Sequence, residues 1–398
     1  MTAKTPDANA VRFAQLQLAP ATLQNLEQLG YTQMTPIQAA SLPLTLAGQD
    51  LIAQASTGSG KTAAFGLPLI ERLQTAGSPS AAIQAVILCP TRELADQVTQ
   101  EIRRLARARQ NVKVVTLCGG VALRGQTVSL EHGADVVVGT PGRILDHLER
   151  GSLSLAGVNT LVLDEADRML DMGFFDDIAK VVRQCAKDRQ TLLFSATYPE
   201  GIAKLAAQFM RAPQTVKVDA QHSAHKIRQI YYEVSESQRL DAVSKLLAHF
   251  RPERTLAFCN TKQQCRDLVA VLQAQGYSAL ALFGELEQRE RDQVLVQFSN
   301  RSCSVLVATD VASRGLDVEG LEAVINVDVT PDAEIHIHRI GRTGRGDAEG
   351  LALTLASMDE MGSVGKIEVM QGRESKWEPL SGLTPAAGGP LQPPMRTL

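Results

Sequence analysis

DLIAQASTGSGKTAAF, residues 50–65, passes from a short apolar run through a glycine turn into helix-forming residues. A run of that length and β-branched content suits a strand covered on both faces. Gly58 and Gly60 let the backbone curl so that its N–H groups point inward. Lys61 then supplies a cation and Thr62 a hydroxyl suited to Mg²⁺, so the turn reads as a phosphate cradle. The spacing departs from the strict G-x-x-x-x-G-K-[ST] form, because Ala55 stands where the first glycine belongs. An ordinary Gly-rich turn is the alternative, but Lys-Thr at the first helical turn by chance is unusual.

The same alternation of apolar run and amphipathic stretch extends in both directions. DLIAQA, AVILCP, VKVVTLC, ADVVVGT, TLVLDEA, TLLFSAT and TVKVD read as strands, each followed by a turn or a helix-forming segment. That succession is the βαβ pattern of a parallel sheet, an α/β fold. It lapses at DAQHSAHKIRQ and restarts with IYYEV, TLAFCN, SALALF, SVLVATD, AVINVDV and LALTLA. Two domains follow, residues 13–219 and 227–372, with a linker over 220–226 and a flexible segment at 1–12. Residues 373–398 are rich in Gly and Pro, cannot build a core of their own, and are expected to be disordered.

At 398 residues the chain exceeds one ordinary core. Its composition, 44% hydrophobic and 21% charged, is that of a globular protein. The opening residues MTAKTPDANA lack the apolar core of a secretion signal, and no run is long enough to cross a bilayer, so a cytoplasmic home is expected. Cys89, Cys118, Cys185, Cys259, Cys265 and Cys303 are scattered without a CxxC pair, which suits buried reduced thiols rather than zinc ligands. With Lys+Arg 40 against Asp+Glu 43, the net charge of -3 sets up no global field to draw in nucleic acid. Any such partner must be held locally.

In LVLDEADRML, three aliphatic residues run into Asp164, Glu165 and Asp167 at the carboxyl edge of a strand. That edge is where open parallel sheets bind ligands, although acids also cap the helix that follows. Beside a phosphate cradle, Asp164 suits Mg²⁺ and Glu165 the attacking water of phosphoryl transfer, while Asp167 is free to bridge to another element. In the distal half, HRIGRTGR spaces Arg339, Arg342 and Arg345 three apart, on one side of a helical turn. They make either a solvated basic face or, given the ATP site, arginine fingers worth roughly 10³ to 10⁵ in rate. His336 and His338 alternate as in a strand, but with no further ligand cluster they read as structural.

From about Phe13 to Leu355 these motifs together resemble the DEAD-box RNA helicases of superfamily 2. Asp164-Glu165-Ala166-Asp167 spells the family name, and TPIQ, ASTGSGKT, PTRELA, Gly119-Gly120, TPGR, SAT, FCNT, QRER, ATDVASRGLD and HRIGRTGR follow in order. Ala55 is the family's usual form. The resemblance implies two tandem RecA-like domains that close over ATP and single-stranded RNA. It assigns Phe13 and Gln38 to adenine; Ser56, Thr57, Gly58, Ser59, Gly60, Lys61 and Thr62 to the phosphates; Gly315 and Asp317 to the nucleotide, Asp317 at the ribose. Thr62 and Asp164 would hold Mg²⁺, with Glu165, Arg342 and Arg345 catalytic. RNA would lie on Pro90, Thr91, Arg92, Gly119, Gly120, Thr140, Gly142 and Arg143 in the first domain, and on Thr261 and Thr309 in the second. Asp167, Ser195, Thr197 and His338 would couple the two domains.

Several of these segments are turns at strand ends, where N–H groups meet phosphates without a basic surface. Within the family, LCPTRELADQV, DRMLDMGF and GELEQRERDQ look closest to the bacterial DbpA type. That likeness implies work in large ribosomal subunit assembly, and an RNA-binding module after the core that is absent before the closing PPMRTL. The activity implied is RNA-stimulated ATP hydrolysis with local, non-processive unwinding, by a monomeric core and without membrane contact. An ATP-gated RNA clamp that does not unwind and a DNA translocase of the same superfamily are the alternatives.

Overall fold

The computed structural model describes residues 12–55, 58–74, 82–109, 111–218, 227–313, 320–344 and 349–386. The chain divides into two compact units, Met1–Asp219 and Ala220–Leu398. Among the described residues no helix is long and apolar enough to cross a membrane, and all six cysteines are free and buried.

The first unit is built on seven strands: β1 (Leu51–Gln54), β2 (Ala85–Leu88), β3 (Val114–Leu117), β4 (Val136–Gly139), β5 (Thr160–Leu163), β6 (Gln190–Ser195) and β7 (Gln214–Lys217). They form one sheet in the order β3-β4-β2-β5-β6-β1-β7, every pairing parallel. The continuous apolar runs are explained by helices on both faces. Ala85, Ile87, Val162, Leu192 and Phe194 point to one core, against the helices Pro36–Leu46, Lys61–Arg72 and Arg92–Leu105. Val86, Leu88, Leu161, Leu163 and Leu193 point to the other, against Pro141–Glu149, Phe175–Gln184 and Glu200–Phe209. Each fully buried aliphatic side chain contributes roughly 1.5–3 kcal/mol, so the alternation holds the register.

The second unit repeats the plan with β8 (Ile227–Glu233), β9 (Thr255–Phe258), β10 (Ala279–Leu282), β11 (Val305–Ala308), β12 (Ala323–Asn326) and β13 (Gly350–Ala356), in the order β10-β11-β9-β12-β13-β8 and again parallel. The helices Arg239–Phe250 and Lys262–Ala274 cover one face through Val243, Leu246, Leu268 and Leu272. Phe298 of the helix Gln288–Ser299 packs on the other.

Residues 373–386 depart from the composition-based expectation of disorder. Tyr231 N donates to Lys376 O at 2.8 Å and Glu378 N to Tyr231 O at 2.9 Å, a short parallel extension beyond β8. Trp377 lies 5.5 Å from the Tyr231 ring, centroid to centroid. A Gly/Pro-rich segment has no core of its own, but the free edge of β8 offers hydrogen-bond partners that composition does not reveal. Residues 387–398, 220–226 and 1–11 lie outside the described residues.

His336 sits in the helix Ala333–Ile340 rather than in a strand, buried, with Nε2 3.2 Å from the Tyr231 hydroxyl. Burial, and then Arg339 nearby, push its imidazole down to about 3. The unfolded chain therefore takes up a proton near the ordinary 6.5 that the folded one refuses until about 3. Stability is full above pH 6.5 and falls as the pH drops through that window. His336→Gln is expected to reduce the loss of unfolding free energy between pH 7 and pH 4.5 by about 2 kcal/mol. Urea titrations at the two pH values check this; an unchanged difference refutes it.

Candidate active site

The carboxyl ends of β5, β6 and β1, neighbours in the sheet, carry the acids, the Ser195–Thr197 turn and the glycine turn. The β6–β1 ladder continues through Ala55 N, which donates to Ser195 O at 3.0 Å. Gly60, at φ 91°, is the left-handed residue before the helix Lys61–Arg72. A Cβ there would stand 2.6 Å from Gln38 Nε2 and 3.1 Å from Thr35 Oγ1, so both conformation and space demand glycine. Gln38 is buried in a capping box: Oε1 accepts from Thr35 N at 2.9 Å while Nε2 donates to Gly60 O at 3.0 Å. It thus clamps the glycine turn. Phe13 is buried too, edge-on to Tyr31 at 6.0 Å.

Lys61 is 6% exposed, and its Nζ has no hydrogen-bond partner among the described residues. Ser59 Oγ is also orphaned. A buried ammonium without a hydrogen-bond acceptor is costly, and a phosphate would supply what both donors lack. Asp164, buried at the end of β5, is pushed up to about 6 by burial, against the attraction of Lys61, with Glu165 and Asp167 raising it further. A cation beside it would reverse that. Among the described residues no three His, Cys, Asp or Glu cluster around a metal. Mg²⁺ commonly takes only one or two protein oxygens and completes its shell with phosphate and water, so the donor set of Thr62 and Asp164 fits it.

Glu165 takes φ 51°, a left-handed conformation uncommon outside glycine. Its side chain makes no capping bond to the helix Ala166–Asp171, as a purely capping role would require, and pairs instead with Arg168. Asp164 Oδ1 accepts from Glu165 N at 3.0 Å. Asp167 answers to β6: its Oδ2 accepts from Ala196 N at 3.1 Å, Thr197 N at 2.9 Å and Thr197 Oγ1 at 2.9 Å, and its N–H donates to Ser195 Oγ at 3.2 Å. The third acid therefore ties the acidic strand end to the Ser195–Thr197 turn inside the first unit.

The ends of β3, β4 and β2 occupy the other half of the same edge. Gly119 and Gly120 follow β3 and are exposed. Thr140 precedes the helix Pro141–Glu149, which holds Gly142 and Arg143 in its first turn. Pro90 follows β2, and Thr91 caps the helix Arg92–Leu105 by accepting from Leu94 N. Two residues that the sequence reading missed lock these turns together. Gln126 Nε2 donates to Cys118 O at 2.8 Å, and its Oε1 receives Arg143 Nη1 at 3.2 Å and meets His147 Nε2 at 3.0 Å. Arg143 also donates to Val121 O at 3.0 Å. No local sequence signal marks Gln126 or His147, because the contact spans separate helices.

In the second unit Thr261 caps the helix Lys262–Ala274, and Thr309 follows β11, next to β9. Of the expected row of three arginines, the described residues include Arg339 and Arg342, and these two do not share the helix. The helix ends at Ile340, and Arg339 turns inward to Asp310 (2.6 Å), Asn260 Oδ1 (2.9 Å) and Asp328 O (2.8 Å). Three guanidinium groups on one turn would repel, and burial with a carboxylate removes one of them. Arg342 is buried just beyond the helix and His338 is exposed on it. Ser56, Thr57, Gly315, Asp317 and Arg345 lie outside the described residues.

Residues 35–205 match the DEAD/DEAH box helicase family and residues 238–347 the helicase conserved C-terminal domain. The ATP-dependent RNA helicase DbpA of Escherichia coli strain K12 is 49% identical over 361 residues, 91% of this chain and 78% of that protein. The DEAD-box ATP-dependent RNA helicase CshA of Geobacillus kaustophilus is 43% identical over 89% of this chain and 76% of its own length. Among solved structures, S. cerevisiae Dbp5 bound to RNA and ADP BeF3 superposes with a TM-score of 0.84 at 29% identity, covering 93% of this chain and 96% of that one. Mss116p bound to ssRNA and AMP-PNP gives 0.83 at 27% identity, covering 94% and 81%.

Proposed function

The chain belongs to the DEAD/DEAH box helicases and folds as two tandem RecA-like domains; from that premise we propose that it unwinds or remodels short RNA duplexes locally, without processive movement, driven by RNA-stimulated ATP hydrolysis. The single observation that carries the reading is the divided carboxyl edge of the first sheet, with the buried acids, the Ser195–Thr197 turn and the glycine turn at β5, β6 and β1 and helix N-termini at β3, β4 and β2.

In this proposal Lys61, Ser59 and the turn at Gly58 and Gly60 bind the phosphates, together with Ser56 and Thr57. Thr62 and Asp164 hold Mg²⁺, which when bound neutralises phosphate charge. Glu165, positioned by Arg168, orients the attacking water and accepts its proton. Arg342 and Arg345 are the second domain's cations for the developing charge, and Gly315 and Asp317 its nucleotide contacts. Phe13 and Gln38 set the adenine end, with Gln38 acting also through Gly60. RNA lies along Pro90 to Arg92, Gly119, Gly120, Thr140, Gly142 and Arg143, and on Thr261 and Thr309. Backbone N–H groups at helix N-termini meet its phosphates, which makes binding tolerant of sequence. Asp167, Ser195, Thr197 and His338 relay closure between nucleotide and RNA. A ribosomal RNA target and a monomeric working form belong to the same proposal.

Steady-state hydrolysis by the whole chain, at low salt because phosphate contacts are screened, is expected to rise with single-stranded RNA and not with matched DNA. Equal stimulation by DNA would overturn the RNA assignment. Stimulation by RNA without strand separation in a duplex assay would replace unwinding by an ATP-gated clamp.

A further inference from the structure

We propose that a groove on the second unit binds a basic segment of a partner protein, seating one of its apolar side chains beside Trp377. A cavity of about 1130 Å³ opens between the end of β8, residues 357–361, the helix Met361–Gln371 and residues 377–380. Its apolar wall is made by Trp377, Met358, Met361, Val364 and Leu380. Within it Trp377 is 39% exposed and Met358 70%, large apolar side chains in water that mark interaction surfaces. Met361, Gly365 and Val369 fall four apart on one helical row. A Cβ at Gly365 would meet open space, so this glycine leaves a notch in the row.

The charge around the notch selects the occupant. Glu233, Glu236, Asp359, Glu368 and Glu378 line the groove, and among the described residues no lysine or arginine does. Three of them are engaged: Glu236 with Arg239, Glu368 with Ser375 N, and Glu378 with Lys376. Glu233 and Asp359 are exposed and carry no ion pair or side-chain hydrogen bond among the described residues. Such a rim repels a phosphate backbone, so RNA is excluded here, whereas Lys or Arg flanking an apolar residue matches both rim and wall. An aromatic anchor in a pocket ringed by polar contacts is the usual arrangement of a binding hot spot. The Tyr231 ring behind Trp377 holds it in place.

Trp377 is the single tryptophan of the chain, so its emission reports on this groove alone. The full chain is titrated with a short synthetic peptide of Lys and Leu, and with a counterpart carrying Glu in place of Lys. A saturable emission change with the Lys peptide only is expected. The double substitution Glu233→Lys with Asp359→Lys should weaken binding about tenfold or more. Gly365→Leu should abolish it by filling the notch, without lowering Tm, because Leu is the better helix former. No saturable change, an equal response to both peptides, or undiminished binding by Gly365→Leu would each overturn the proposal.

Discussion

Lys61→Ala is expected to lose RNA-stimulated ATP hydrolysis by about 10³-fold or more, some 4 kcal/mol of barrier. The side chain leaves the first turn of the helix Lys61–Arg72, whose start is held by Gly60 and, through it, by Gln38. Its buried Nζ has no hydrogen-bond partner among the described residues, so it reaches a ligand already desolvated. A donor in that state stabilises developing phosphate charge far more than one in water does. RNA affinity without nucleotide should stay near wild type, since the turns at Thr91, Thr140 and Gly120 stand on other strands. Turnover with saturating ATP and RNA, beside a nucleotide-free RNA titration, separates the two effects. Wild-type turnover in the variant would place the phosphates elsewhere.

Asp164→Asn is expected to move activity and stability in opposite directions. The Asn Oδ1 keeps the bond from Glu165 N, yet loses the charge that Mg²⁺ requires, so hydrolysis should again fall by about 10³-fold. In the ligand-free protein the same charge is a burden, because burial holds the carboxyl at about 6 against an ordinary 3.8. For a carboxyl raised on folding, the native state binds the extra proton. The contribution to stability is therefore full below pH 3.8, shrinks as the pH rises and is absent above about 6. At pH 7.5 the substitution should stabilise the ligand-free chain by at most about 3 kcal/mol, and near pH 3.8 by almost nothing. Thermal melts at the two pH values test the sign. Destabilisation at pH 7.5 would mean that Asp164 is already compensated before any metal arrives.

The chain order of apolar and β-branched runs was enough to place every strand of both sheets. The central strands β2, β4, β5 and β6, β9, β11 and β12 are buried on both faces and so largely apolar, whereas the edge strand β7, largely exposed, was marked by its β-branched residues and its place in the succession. The glycine turn and the acid-bearing strand end were legible for a related reason. Phosphate chemistry needs particular residue types close together along the backbone, as at Gly58 to Thr62 and at Asp164 to Asp167. The reading failed where partners come from distant segments. Spacing placed Arg339 in a row of three cations, whereas the fold buries it against Asp310 and Asp328, which no local pattern joins to it. Composition left residues 373–386 without structure, whereas the edge of β8 gave them hydrogen bonds.

By itself, then, the sequence determined the α/β class, the strand count and the glycine turn before the helix Lys61–Arg72, all set by short-range pattern and backbone geometry. Only the tertiary structure decided that Asp167 holds the Ser195–Thr197 turn, that Gln126 joins the turns after β3 and β4 and that Lys61 Nζ is left without a hydrogen-bond partner among the described residues. Those facts depend on which strand ends become neighbours in the sheet, and burial then turns proximity into a bond or an unmet demand.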